Sequence, residues 1–98
     1  MTVTIDSVLV RDKEPVAAAL DEGVVIMSIR AGAYFDFNRV AGEIWDLLAE
    51  PCRVGEIFDS LLQRHDVDAE TLVRDVTPFL QILLEHRLVR LLDPRQSR

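Results

Sequence analysis

The spacing of apolar residues changes its period once along this chain, near Asn38. Before that point, short runs of Val, Ile, Leu and aromatic residues are typical of β-strands. After it, apolar residues recur at intervals of three and four, which places them on one face of an α-helix. Because the two kinds of segment do not alternate, the order predicts an α+β domain with strands first and helices second.

Three strands are predicted before the change. Residues 3–10, 24–29 and 33–37 are apolar runs, and a turn signal at Asp21-Glu22-Gly23 and a tight connection at Ala31-Gly32 bound the second of them. We expect these strands to form a small antiparallel meander. Residues 16–20 have an ambiguous pattern and are assigned to no element.

The first two helices have recognisable ends. Asn38 is a good N-cap for the first helix, and Pro51 terminates it. The second helix runs from about Arg53 to Arg64, with an apolar stripe that faces the core.

The third helix begins near Ala69 and reaches about His86, but it contains Pro78. Either one helix is kinked there, or Thr77 caps a new helix that has Pro78 in its first turn. We favour one kinked helix. Residues 88–92 then form a final short strand or an extended tail.

The chain has 98 residues, which is enough for one domain. We expect that domain to span residues 1–92, followed by a polar tail at 93–98. Its predicted order, a three-stranded antiparallel sheet followed by three helices, resembles a winged helix-turn-helix.

Charge argues against nucleic acid as a partner. The net charge is −6, and neither half of the chain is basic, whereas DNA binding needs a clustered positive face. Asp68 and Glu70 also lie at the entry to the third helix, where a winged-helix protein would contact DNA. A DNA-binding regulator is therefore the weaker alternative.

Few residues suggest catalysis or metal binding. The four glycines are isolated, so no phosphate-binding loop is present, and Cys52, His65 and His86 lack the spacing of metal ligands. We expect no cofactor, no metal and no enzymatic activity. The alternative is a thiol enzyme, since Cys52 follows Pro51 at a predicted helix start, where the helix dipole could lower its pKa.

Targeting signals are not evident. The first residues lack the pattern of a secretory signal, no apolar run is long enough to span a membrane, and a single cysteine fits a reducing compartment. We expect a cytoplasmic protein without membrane contact.

A resemblance to a known family gives a positive indication. The segment from Gly32 to Leu48 contains Gly32-Ala33-Tyr34-Phe35-Asp36-Phe37-Asn38, then Ala41-Gly42, Ile44-Trp45 and Leu47-Leu48. This order resembles the PqqD-like family, and the apolar patterns of the second and third helices extend the similarity over about residues 20–92. Phe37 departs from the family, in which Leu is usual at that position.

The resemblance implies a module that binds the leader of a ribosomally made precursor peptide. The leader would add as a strand to the open edge of the third strand and lie against the third helix. By position, the edge would consist of Tyr34, Phe35, Asp36 and Phe37. The helix wall would consist of Val73, Val76, Thr77 and Leu80, and Arg74 could pair with an acidic residue of the leader. Phe35 and Phe37 are more often core than contact residues, because alternate strand residues must face the helices, and we expect Trp45 to be core as well.

The resemblance also implies partners. The module would present the precursor to a modifying enzyme, such as the leader protease and cyclase of a lasso-peptide pathway. The alternative is a PqqD-type chaperone that serves a radical-SAM enzyme. An exposed edge strand could also pair with itself, which would give a homodimer.

Overall fold

The structure is a computed structural model that describes residues 3–30 and 32–92. The predicted polar tail at 93–98 lies outside these ranges. In chain order the elements are β1 (Val8–Arg11), β2 (Val16–Leu20), β3 (Gly23–Ser28), β4 (Ala33–Asn38), α1 (Arg39–Leu47), β5 (Cys52–Arg53), α2 (Val54–Arg64), α3 (Ala69–Glu85) and β6 (Val89–Leu92). None of the helices in the described ranges has the length and apolar character needed to cross a membrane.

The strands form two antiparallel sheets. One is the meander β2-β3-β4, and the other has the order β5-β1-β6. The prediction of a three-stranded antiparallel sheet followed by three helices is confirmed, and a second sheet is added to it.

One strand assignment was wrong. Of the predicted strand 3–10 only residues 8–10 lie in a sheet, as part of β1, which pairs with β5 and β6 rather than with the meander. The first strand of the meander is Val16–Leu20, because the two-residue turn at Asp21-Glu22 folds this segment directly back on β3.

The core lies between the sheets and the helices. Its fully buried side chains come from both sheets, all three helices and the segments that follow α1 and α3; they are Leu9, Ile26, Ile44, Leu48, Ile57, Leu61, Leu80, Leu83 and Leu88. Trp45 is buried among them as predicted, and the guanidinium carbon of Arg11 lies 5.2 Å from the centre of its ring. Such a contact adds a cation–π attraction at the edge of the core.

The helix ends follow capping rules. Asn38 is the N-cap of α1, as predicted, and its Oδ1 accepts a hydrogen bond of 2.9 Å from the backbone N–H of Ala41. The helix α3 is one element that includes Pro78, so the prediction of a single helix is confirmed. Asp68 caps α3 by accepting a hydrogen bond of 2.7 Å from the N–H of Thr71.

The chain leaves α3 through a Schellman turn. The N–H of Leu88 donates to the carbonyl oxygen of Leu83 at 2.9 Å, and the N–H of Arg87 donates to that of Leu84 at 3.1 Å. The turn requires one residue with left-handed backbone conformation, and this residue is Arg87, with φ 59°. The turn directs the chain into β6, so the final stretch is a strand rather than a tail.

Candidate functional site

The strand β4 is an edge strand with a free side. Among the described residues it pairs only with β3, from Ser28↔Ala33 to Gly23↔Asn38. The connection between Leu20 and Gly23 is a two-residue hairpin, and its closing pair is therefore hydrogen-bonded. Successive residues of a strand bond alternately to the neighbour on one side and to the neighbour on the other. Gly23 and the other odd-numbered residues of β3 therefore bond to β2, and the even-numbered residues bond to β4.

This alternation determines which backbone groups of β4 are open. Phe35 and Phe37 face Ile26 and Val24, so their N–H and C=O groups are used within the sheet. The N–H and C=O groups of Tyr34 and Asp36 point away from β3 instead. The free side therefore presents a row of unpaired donors and acceptors.

The side chains of β4 alternate between solvent and the third helix. Tyr34 is 72% exposed, and Asp36 is also exposed. Phe37 is half-buried, and its ring meets the edge of the Phe79 ring with centroids 4.9 Å apart. Phe35 is half-buried too, and its ring lies 4.9 Å from that of His86. Two aromatic contacts thus join β4 to α3 and its C-cap.

The flank of α3 that faces β4 is defined by Phe79. At 3.6 residues per turn, residues three, four and seven positions away lie within about 60° of it round the helix. By this spacing the flank comprises Leu72, Asp75, Val76, Phe79, Ile82, Leu83 and His86. Ile82 is 40% exposed, which leaves an apolar side chain in solvent on this flank.

A cavity of about 560 Å³ opens between β4 and α3. Its lining comes from β4 and its end, α1, the α2–α3 connection and α3; it consists of Asp36, Phe37, Asn38, Val40, Ala41, Ile44, His65, Val67, Leu72, Asp75, Val76 and Phe79. A mostly apolar cavity of this size with a few polar groups is typical of a ligand site. We call the free side of β4, this cavity and the facing flank of α3 the β4–α3 groove.

The charged groups of the groove are mainly acidic. Asp36 and Asp75 are exposed and line the cavity, whose lining includes neither Lys nor Arg. At one side, Glu43 accepts a hydrogen bond of 3.0 Å from Nε2 of His65 and lies 3.5 Å from a guanidinium nitrogen of Arg64. An extended ligand with a basic side chain would therefore find a favourable field at this end of the groove.

The structure brings together only part of the predicted site. Tyr34, Phe35, Asp36 and Phe37 lie on β4 as expected, and Val76 lines the cavity. Leu80 lies in α3 but is fully buried in the core.

The remaining predicted residues lie elsewhere on α3. Val73 is six positions before Phe79, about 120° round the helix, and Thr77 is about 160° round it. Arg74 is also on that far side, where its Nε lies 3.9 Å from Asp75 in an exposed contact. None of the three lines the cavity.

Sequence reasoning missed Leu72, Asp75 and Phe79, which line the cavity. It also missed Ile82, which lies on the same flank but outside the cavity lining. The apolar stripe of α3 had two flanks, and the pattern alone did not say which of them faces β4. Phe79 and His86 are seven positions apart, which places them on the same flank of the helix. This pair marks the flank that faces β4, once the end of the helix is known.

Cys52 does not have the environment predicted for a reactive thiol. It lies in β5, two residues before α2 begins, rather than at a helix start. Burial raises its pKa above the ordinary value, the charge of Glu56 raises it further, and Arg53 opposes the change only in part. The lowered pKa on which the thiol-enzyme alternative depended is not found, because the thiol is shielded from water and faces an acid. Over residues 3–30 and 32–92, no three His, Cys, Asp or Glu residues are grouped to hold a metal ion.

Comparisons with known proteins bear on this groove. The sequence profile of the family described as coenzyme PQQ synthesis protein D (PqqD) matches residues 23–89. A solved structure described as TbiB1 in complex with the TbiA(beta) leader peptide matches with a TM-score of 0.75 and 33% sequence identity, over 83% of this chain and 94% of that chain. No curated protein matches the sequence.

Proposed function

The chain belongs to the PqqD family, and we propose that it is a recognition module that binds the leader segment of a ribosomally synthesised precursor peptide. The observation that carries the proposal is the open edge of β4 beside an apolar cavity. The similar structure, of TbiB1, was solved with a leader peptide.

Strand addition explains the affinity of such a module. The outward N–H and C=O groups of Tyr34 and Asp36 would pair with the backbone of the leader, independently of its sequence. An antiparallel leader would run from the Asn38 end of β4 to the Ala33 end. It would then follow α3 from its N-terminal half towards His86, because β4 and α3 run in opposite directions.

The cavity explains selectivity. Alternate side chains of an added strand point to one face, so those on the inner face would reach Phe37, Val76 and Phe79. An apolar side chain of the leader would fill the cavity, and a basic neighbour would lie near Asp36 and Asp75. Ile82 would cover the leader from the solvent side of α3.

The proposal assigns no catalytic step to this chain. We propose that it holds the precursor in the cytoplasm and presents it to a separate modifying enzyme, with the leader protease and cyclase of a lasso-type pathway as the preferred partners. The description of the matching family names coenzyme PQQ synthesis, and we therefore keep the PqqD-type chaperone for a radical-SAM enzyme as a second candidate. Both candidates require the same groove and differ in the enzyme that receives the peptide.

Direct titration tests the shared part of the proposal. A fluorescein-labelled synthetic leader of the precursor encoded beside this chain's gene is titrated with the protein, and anisotropy is recorded. Pairing along β4 with one filled cavity should give a dissociation constant in the micromolar range. A value weaker than about 100 μM, which corresponds to only about 5.5 kcal/mol of binding free energy, would contradict the proposal. A scrambled leader of equal composition is the control.

The partner is identified by a second measurement. The precursor is incubated with each candidate enzyme from the same gene neighbourhood, with and without this protein, and modification is followed by mass spectrometry. Acceleration of leader cleavage supports the lasso-type partner, and acceleration of a radical-SAM reaction supports the chaperone.

A further inference from the structure

The strand β2 forms the opposite edge of the meander and is exposed along its whole length. All five residues of Val16–Leu20 are exposed, with Val16 at 60% and Leu20 at 55%. Within the described residues β2 pairs only with β3. The strand contains no charged side chain and no proline, although both are the usual means of protecting an edge strand from association.

The open backbone groups of β2 follow from its register. Leu20, Ala18 and Val16 face Gly23, Val25 and Met27, and the hairpin makes these the pairs bonded to β3. Ala17 and Ala19 therefore point their N–H and C=O groups away from the sheet.

This arrangement is self-complementary. If a second β2 lies antiparallel about a two-fold axis at Ala18, Ala17 of one copy faces Ala19 of the other, and both have outward backbone groups. Val16 then faces the second copy's Leu20 on the outer surface of the sheet, where their apolar side chains cover one another. No like charges meet within the strand pair.

The flanking segments offer one acid–base pair at each end. Continued past the strand ends, the same register places the turn at Asp21-Glu22 beside residues 13–15 of the second copy, with Asp21 diagonal to Lys13 and Glu22 opposite Glu14. That segment contains Lys13, whereas the carboxylate of Glu14 is already used by Ile29, Arg30 and Ser28 of its own chain. Two acid–base contacts would therefore flank the paired strands, one at each end.

From these observations we infer that β2 is a self-association edge, through which two copies of this chain form a continuous six-stranded sheet about a two-fold axis at Ala18. The strand order is β4-β3-β2-β2-β3-β4, so both β4–α3 grooves remain open at the outer ends. The dimer is weak, because a pair of five-residue strands buries less than a standard protein interface. This inference does not depend on what the groove binds.

Analytical ultracentrifugation measures the association. The mass of the wild-type protein should rise with concentration from 11.1 kDa towards twice that value. Ala18→Asp places two carboxylates opposite each other at the axis and should keep the protein monomeric, with an unchanged circular dichroism spectrum. Gln63→Glu adds the same charge on the exposed face of α2 and should associate as the wild type does.

Cysteine cross-linking tests the register. In a Cys52→Ser background, Ala18→Cys should form an intermolecular disulfide under mild oxidation, since directly opposed residues of this kind have Cα atoms about 4.5 Å apart. Ala17→Cys should cross-link far more slowly, because its copies lie diagonally at about 7–8 Å. A wild-type protein that stays monomeric up to about 0.5 mM, well above micromolar affinities, or equal cross-linking of the two cysteine variants, would overturn the inference.

Discussion

The ring of Phe37 on β4 meets the ring of Phe79 on α3 edge-on, with centroids 4.9 Å apart and planes at 82°. Both residues line the cavity, so this contact joins the two walls of the β4–α3 groove. Aromatic pairs of this geometry contribute about 0.5–1.5 kcal/mol beyond the apolar area that they bury. The same contact that stabilises the fold therefore shapes the cavity.

Phe79→Leu should affect stability and binding together. Loss of the ring pair should lower the free energy of unfolding by about 1 kcal/mol in urea denaturation, and the widened groove should weaken leader binding. Phe58→Leu is the control, because Phe58 is buried in α2 away from the groove. It should lower stability but leave the affinity of the folded protein for the leader unchanged; equal loss of affinity in both variants would argue that the groove is not the binding site.

Two exposed apolar residues of α3 distinguish the flank that faces β4 from the flank that the sequence predicted as the peptide-binding wall. Ile82 is 40% exposed and Val73 is 43% exposed, but only Ile82 lies on the flank that faces β4. Ile82→Asp should weaken leader binding at least tenfold, or about 1.4 kcal/mol, because it places a carboxylate where the peptide lies. Val73→Asp makes the same change at nearly equal exposure and should bind normally. If Val73→Asp loses affinity and Ile82→Asp does not, the leader lies on the other flank.

The sequence carried local information reliably and left the pairing of distant segments open. The cap at Asn38 could be predicted because it depends on residues only three positions apart. The membership of Val8–Arg11 in a second sheet could not, since its partners are Cys52–Arg53 and Val89–Leu92, far along the chain.

The candidate site, too, could be predicted only where it depends on local sequence. The edge at Tyr34–Phe37 follows from its place as the last strand before the helices. The facing flank of α3 depends on the rotation of that helix about its axis, which is fixed by tertiary contacts such as that between Phe37 and Phe79. Apolar residues on both flanks made the two rotations equally consistent with the pattern.

Glu14 should make stability depend on pH. Partial burial tends to raise its pKa, but hydrogen bonds from the N–H of Ile29, the hydroxyl of Ser28 and the N–H of Arg30 outweigh this and lower the pKa below the ordinary 4.5. A carboxyl group with a lower pKa in the folded state stabilises fully above its unfolded pKa, and this contribution is lost as pH falls through the folded pKa.

Thermal melts test this dependence. Glu14→Gln should lower the melting temperature at pH 7, and the difference from the wild type should shrink as the pH is lowered below 4.5. Glu50→Gln is the control, since Glu50 is exposed and the described residues offer it no hydrogen-bond or ion-pair partner. A difference between wild type and Glu14→Gln that is constant from pH 7 to low pH would show that the charge of Glu14 is not what holds the β3–β4 turn.

Arg87 should be replaceable by glycine with a gain in stability. Its φ of 59° is in the left-handed region, where a side chain costs roughly 1–2 kcal/mol. Glycine removes that strain while keeping the two hydrogen bonds of the Schellman turn, but it also increases the entropy of the unfolded chain. The net expectation for Arg87→Gly is an increase of about 0.5–1 kcal/mol in the free energy of unfolding.

Arg90→Gly is the matched control: Arg90 lies in β6 with extended backbone, where glycine should cost about 0.5–1 kcal/mol. Urea denaturation of the three proteins at pH 7 measures both changes, and a loss of stability in Arg87→Gly would mean that the Arg87 side chain makes a contact worth more than the strain of its backbone.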